Sequence, residues 1–330
     1  MDNQRIIVIG ASAGGVEALL RMAPRLSPRL AAPVVVVQHI GKHRSCLPEL
    51  LSKSGPNQAV FAETGLVPQA GMIYVAPPDQ HVLLHGGELV LAYGPKEHHA
   101  RPAINPLFRS AALERGPRTI GVVLTGMLDD GAAGLHAIKT CGGTTLVQDP
   151  LEAPQPSMPS HAIASTQVDY VVRLEAMTDI LNNLALPLDK VPPNKPPDWL
   201  RIEHAISLGK AGMPELSLVA TPSGFTCPDC GGVLFEMREG MPVRFLCHTG
   251  HAFSLFSLAS LQDNLAEEAL WTGIRALQEK EVMLRRQAAL QAPEDSAAVE
   301  GLAEAEDLAK LIQSMRTLVT SVPTRPAEKD

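Results

Sequence analysis

Aromatic residues are scarce. Phe, Trp and Tyr make up 4% of the 330 residues while hydrophobic residues make up 45%, so the core must be aliphatic. No run of 18 apolar residues occurs, and no basic segment followed by an apolar one opens the chain. Neither a membrane-spanning helix nor a secretory signal is expected, and the expected location is the cytoplasm. A surplus of positive charge is also missing. Lys and Arg total 28 against 35 for Asp and Glu, a net charge of -7, which implies no nucleic-acid partner. Cysteines number only five. Cys46 and Cys141 stand alone and read as buried thiols, whereas Cys227, Cys230 and Cys247 are clustered and need another explanation.

The chain is organised around residues 6–20. Ile6 to Ile9 read as a buried strand, Gly10 to Gly15 as a tight turn, and Val16 to Met22 as a helix. Gly10-Ala11-Ser12-Ala13-Gly14 fits G-x-S-x-G, which lifts a serine onto a strand-to-helix turn beside the positive end of a helix. A phosphate cradle is the competing reading of such a turn. The dinucleotide pattern G-x-G-x-x-G fails, because Ser12 occupies the position of its second glycine.

Residues 1–185 alternate apolar runs with helical patterns. Val34 to Gln38, Ile73 to Ala76, Ile120 to Leu124, Thr144 to Gln148 and Tyr170 to Val172 read as strands, and residues 82–91 as a hairpin. Continuous apolar strands in this alternation argue an α/β fold with a doubly wound, mostly parallel sheet. In such sheets ligands bind outside the carboxyl ends of the strands. Ser12, His39 and the pair Asp129/Asp130 each lie just past such an end. A nucleophile, a base and an orienting carboxylate can therefore share one edge, as acyl transfer requires. Periodicity does not choose between Asp129 and Asp130.

Residues 186–224 are proline-rich, then form a short helix from Trp199 to Leu208, and read as a linker segment. Residues 225–258 hold Cys227-x-x-Cys230 followed by Cys247, His248 and His251. Three thiolates and an imidazole suit tetrahedral zinc, which would serve as a structural centre of a zinc-ribbon-like knuckle, since four protein ligands leave no open position. So few residues bury little core, and the metal would supply folding energy. Residues 259–322 carry two apolar stripes, Leu270, Ile274, Leu277 and Leu284, then Leu302, Leu308, Leu311, Met315 and Leu318. They read as a helical hairpin, with residues 323–330 as a flexible tail.

Six blocks in order now carry a family resemblance. IGASAGG, the Gln38-His39 pair after a valine strand, YVAPPDQH, HARPAINPLFRSAA, LTGMLDDGAAG and SMPSHAI resemble the catalytic domain of the chemotaxis protein-glutamate methylesterases, the CheB family. The resemblance covers about residues 4–180. It implies a Rossmann-like α/β hydrolase that demethylates glutamyl methyl esters on the cytoplasmic helices of methylated chemoreceptors, releasing methanol. It also implies the triad Ser12, His39 and Asp130, because the family's carboxylate immediately precedes the Gly-Ala-Ala-Gly run. The oxyanion elements map to the Ala13 and Met127 amides. The resemblance implies no cofactor for catalysis. The C-terminal Cys/His pattern separately resembles an extension seen on some relatives without a receiver domain, in which the later histidine recurs, and that resemblance favours His251 over His248 as the fourth metal ligand. The receiver domain that precedes the hydrolase in the best-known member is not expected in this chain, so control would fall to a regulatory partner or to the C-terminal region. Arg101 is a candidate contact to an acidic receptor surface. Deamidation of glutamine is a neighbouring activity through the same acyl-enzyme. The alternatives are a nucleotide-binding module that would not need His39, and an inactive scaffold.

Overall fold

The computed structural model describes residues 3–40, 44–292 and 295–321. Thirteen strands occur among them. In chain order they are β1 (Ile6–Ala11), β2 (Val34–Gln38), β3 (Ala59–Phe61), β4 (Ile73–Val75), β5 (His81–His85), β6 (Glu88–Ala92), β7 (Thr119–Val123), β8 (Thr144–Gln148), β9 (Tyr170–Val172), β10 (Ala220–Thr226), β11 (Val233–Met237), β12 (Arg244–Cys247) and β13 (Ala252–Ser254). The helices are α1 (Gly15–Met22), α2 (Leu47–Ser54), α3 (Ile104–Arg115), α4 (Ala132–Thr140), α5 (Ser157–Ser165), α6 (Leu174–Leu184), α7 (Asp198–Ser207), α8 (Met213–Val219), α9 (Leu255–Ala288) and α10 (Ser296–Ser321).

Seven strands form one sheet in the order β3-β4-β2-β1-β7-β8-β9, and all neighbours run parallel. The strands are short and apolar on both faces because helices cover both. Along β1, Ile7 and Ile9 enter a core with Leu19, Leu51 and Leu181, while Ile6 and Val8 enter the opposite core with Leu107, Phe108 and Leu135. The chain leaves β1 toward β2 and later returns across it to β7. The crevice at this reversal is the ligand position of an open α/β sheet. β5 and β6 form the expected hairpin, apart from the main sheet.

The compact unit extends from residue 1 to residue 258 and so includes the antiparallel sheet β10-β11-β12-β13. The proline-rich stretch lies along the α/β part: Asn194 donates to the carbonyls of Ala112 and Leu113, and Leu188 N–H to that of Asn3. Trp199 and Leu200 of α7 are buried in the same core as Phe108 of α3. A buried ionic chain joins the two sheets. Arg109 of α3 pairs with Glu97 and lies 3.7 Å from Glu203 of α7, which accepts from Arg244 of β12 at 2.5 Å. Burial would lower the Arg109 pKa, but the two glutamates outweigh it and raise it.

Residues 259–330 form the second unit. Within it α9 and α10 are antiparallel, with Lys280 on Glu304 and Gly273 beside Met315. Ile274 is buried between them with Leu270 and Leu277 packed beside it, as the first stripe predicts. On α10 the buried face differs from the expected stripe: Ala305, Ile312 and Val319 face inward with Met315 beside them, while Leu302, Leu311 and Leu318 are exposed. The tail, residues 323–330, lies outside the described residues. No helix among the described residues is long and apolar enough to cross a membrane.

Candidate active site

Two strand ends and one turn build the site. Ser12 N–H donates to the Thr125 carbonyl and so ties the turn after β1 to the turn after β7. Gly14 adopts φ +79°, which lets the chain reverse into α1. Gly126 lies against Ser12 so closely that a Cβ there would stand 2.8 Å from the serine Cβ. His39 follows β2 and extends the ladder, its N–H donating to Ala11. Gln38, the other half of the Gln38-His39 block, is buried, and its sequence position alone gives it no role in the site. Its side-chain amide donates to the Ser12 carbonyl at 2.8 Å and the His39 carbonyl at 3.1 Å, so one residue fixes both backbones.

The imidazole of His39 bridges the other two groups. Its Nδ1 lies 3.1 Å from Ser12 Oγ and its Nε2 lies 2.9 Å from Asp130 Oδ2. The carboxylate of Asp130 is buried, yet its acceptors are filled. Ile104 N–H donates to Oδ2 at 2.7 Å, and the N–H groups of Asn105 and Gly131 donate to Oδ1 at 3.1 and 2.8 Å. The first two amides begin α3, where the helix dipole favours an anion. Burial alone would raise the pKa of Asp130. The bond to His39, the neighbouring imidazoles and the Ile104 amide outweigh it and hold the carboxyl well below its ordinary range.

Asp129 points elsewhere. It is buried and faces His98, whose Nδ1 stands 3.4 Å from Oδ1. Its carboxyl too stays below the ordinary range: burial opposes this, but His98 and the Ser254 hydroxyl prevail. Asn105 joins the two aspartates. Its Oδ1 accepts from the amides of Gly131 and Gly134, and its Nδ2 therefore faces His98 Nε2 at 3.1 Å. That assigns the His98 proton to Nδ1, on the Asp129 side.

The Ala13 and Met127 amides flank Ser12 on the two turns, and neither donates to a partner among the described residues. Arg101 is engaged within its own chain: Nε and Nη2 bond Asp79 Oδ1 at 3.1 and 3.0 Å, and Nη1 the Gly94 carbonyl at 2.9 Å.

With this geometry the comparisons are decisive about kinship. A family model described as CheB methylesterase matches residues 7–181. The chain belongs to the CheB methylesterase family. A Leptospira interrogans relative is 39% identical over 184 residues, covering 55% of this chain and 95% of that protein. The Pyrococcus abyssi protein-glutamate methylesterase/protein-glutamine glutaminase is 42% identical over 179 residues, 52% of this chain and 48% of that protein. The chain thus spans nearly all of the first and about half the length of the second. Among solved structures, the Thermotoga maritima CheB methylesterase catalytic domain superposes with TM-score 0.51 at 31% identity, covering 55% of this chain and 98% of that one.

Beyond the CheB methylesterase match, Cys227, Cys230, Cys247 and His251 bring their ligand atoms within 4.8 Å of one another. Cys230 Sγ lies 3.7 Å from Cys247 Sγ, and His251 Nδ1 lies 3.7 and 3.5 Å from Cys227 Sγ and Cys247 Sγ. Tetrahedral zinc with ~2.3 Å Zn–S bonds would set thiolates about 3.8 Å apart, so the donor set fits that ion. His248 is exposed and lies outside the group. The Thr249 hydroxyl contacts two of the sulfurs, and Asp229 stands 3.8 Å from His251 Nε2, an outer layer of the kind that orients metal ligands.

Proposed function

We propose that this chain is a serine esterase that hydrolyses glutamyl methyl esters on chemoreceptor helices and releases methanol. The observation that supports this is the continuous path Ser12–His39–Asp130, 3.1 Å and 2.9 Å long in its two links. An ionised Asp130 accepts from Nε2–H, which leaves Nδ1 as the free basic nitrogen, facing the hydroxyl. Ser12 Oγ attacks the ester carbonyl carbon as its proton passes to Nδ1. The Ala13 and Met127 N–H groups are the donors for the oxyanion that develops. The tetrahedral intermediate collapses, the C–O bond to methoxide breaks, and the proton on Nδ1 leaves with it as methanol. Water then loses a proton to Nδ1 and attacks the acyl-enzyme. Collapse releases the glutamate side chain and restores Ser12. With a glutamine substrate the same steps release ammonia. A chemoreceptor's methylated helices are cytoplasmic, which would place the reaction there.

Cys227, Cys230, Cys247 and His251 would hold zinc. Bound there, the ion would supply folding energy to residues 225–258, with no open position for a substrate. Methanol release from carboxymethylated chemoreceptor membranes, compared between the wild type and Ser12→Ala, tests the esterase reading. Release by the wild type alone supports it. Equal release by both proteins overturns it.

A further inference from the structure

The cysteine–histidine cluster adjoins the active site. Asp229, inside the Cys227-x-x-Cys230 turn, faces His251 Nε2 through Oδ2 and His99 Nδ1 through Oδ1 at 3.0 Å. Ala252, the residue after His251, accepts from His98 N–H at 3.0 Å and bridges to Glu97. The Phe253 ring meets the His99 ring edge-on, with centroids 5.7 Å apart. The loop that enters α3 is thus held on one side by residues next to the ligand set. On its other side His98 meets Asp129 and Asn105, and Asn105 sets the amides around Asp130.

This loop needs holding. His98 and His99 both have positive φ, +50° and +59°. Two successive non-glycine residues in the left-handed region are unfavourable and persist only where the surroundings enforce them. The enforcing contacts come from Asp229, Ala252 and Phe253. Loss of order in the ligand turn would let the pair relax and withdraw His98 from Asp129 and Asn105.

We propose that Asp229 is a positioning residue of the esterase site, through which a metal held by Cys227, Cys230, Cys247 and His251 fixes the His98–His99 loop against Asp129 and Asn105. This rests on the esterase and zinc readings above. Asp229 touches neither substrate nor reacting atoms; it acts through His99 and His251. Metal occupancy and the geometry at Asp130 are then linked, although the ion takes no part in ester chemistry.

The test uses the full chain in three forms: wild type, Asp229→Asn and His99→Gln, each assayed for bound zinc and thermal midpoint. The first readout is the imidazole 15N resonances of His98 and His39, neither of them a ligand, recorded before and after chelation and after zinc is restored. The second is kcat and KM on a small activated ester. Chelation is expected to shift both histidines reversibly. Zinc-loaded Asp229→Asn is expected to lose about tenfold in kcat with KM within twofold, within the range of ordinary site-to-site coupling. If Asp229→Asn loses its zinc, zinc-loaded His99→Gln carries the comparison with the same expectation. Resonances that ignore chelation, or a kcat within twofold of wild type in the zinc-loaded variant, would overturn the proposal. An inert wild type would sink the esterase reading, and the His98 resonance would still decide whether the metal is coupled to the loop.

Discussion

His39 meets Asp130 through Nε2 at 2.9 Å, and the ring therefore turns Nδ1 toward Ser12. On the proposed mechanism, which nitrogen serves as base is decided by the carboxylate behind the ring, not by the serine in front of it. Replacing Asp130 by Asn keeps the shape but offers an amide that can select the wrong tautomer. Asp130→Asn is expected to lower kcat by roughly 10^4. Ser12→Ala is expected to lower it by about 10^4 to 10^6. Both are measured by ester turnover with the fold checked by circular dichroism.

Asp129→Asn should cost far less. Its carboxylate faces His98, one residue removed from the proton path. The expected loss is about tenfold or less, on the scale of a misplaced supporting group. Equal losses at 129 and 130 would overturn the assignment of Asp130 over Asp129, and a larger loss at 129 would mean that the two have exchanged roles.

Gln38 fixes the carbonyls of both Ser12 and His39 with one side-chain amide. Gln38→Ala removes both bonds without touching a reacting atom. A fall in kcat of about 10- to 100-fold is expected, with KM nearly unchanged. A change confined to KM would place Gln38 in substrate binding instead.

Asp130 also links stability to pH. Its carboxyl is held below the ordinary range in the folded chain, so the folded state binds fewer protons than the unfolded one as pH falls. The stabilisation is fully present above about pH 4 and is lost as pH drops toward the folded value. Urea unfolding between pH 2 and pH 7 should therefore show a weaker acid dependence for Asp130→Asn than for the wild type.

His251→Ala should release the metal and His248→Ala should retain it. Elemental analysis of the purified chain, expected to give one zinc in the wild type and in His248→Ala, reads this directly. Retention by His251→Ala would return the fourth ligand to His248 or to water.

Much of this arrangement was legible in the sequence. Valine and isoleucine runs read as strands because both faces of a parallel sheet are covered, and Ser12, His39 and the aspartates lay at their ends. The choice between Asp129 and Asp130 was not legible from periodicity, since adjacent turn residues carry no face preference; it came from the family blocks. Gln38 looked like the last residue of a strand, and only the approach of the β1 turn shows what its amide bonds. His98 and His99 lie in a stretch of mixed polarity, where nothing announces a left-handed backbone. The contact of the cysteine turn with that stretch joins residues 130 positions apart, Asp229 and His99, and no local pattern reports it.

The turn after β7 sends two consecutive carboxylates to different imidazoles. Such an arrangement tolerates substitution better than it tolerates a change in length. Adding or deleting one residue before Gly131 would rotate the pair, presenting one carboxylate where the other belongs and leaving a buried negative charge without its partner. The spacing from Thr125 to Gly131 is thus a stricter inheritance than most of the side chains it carries, and variation in this part of the molecule should run through exchanges, not through insertions.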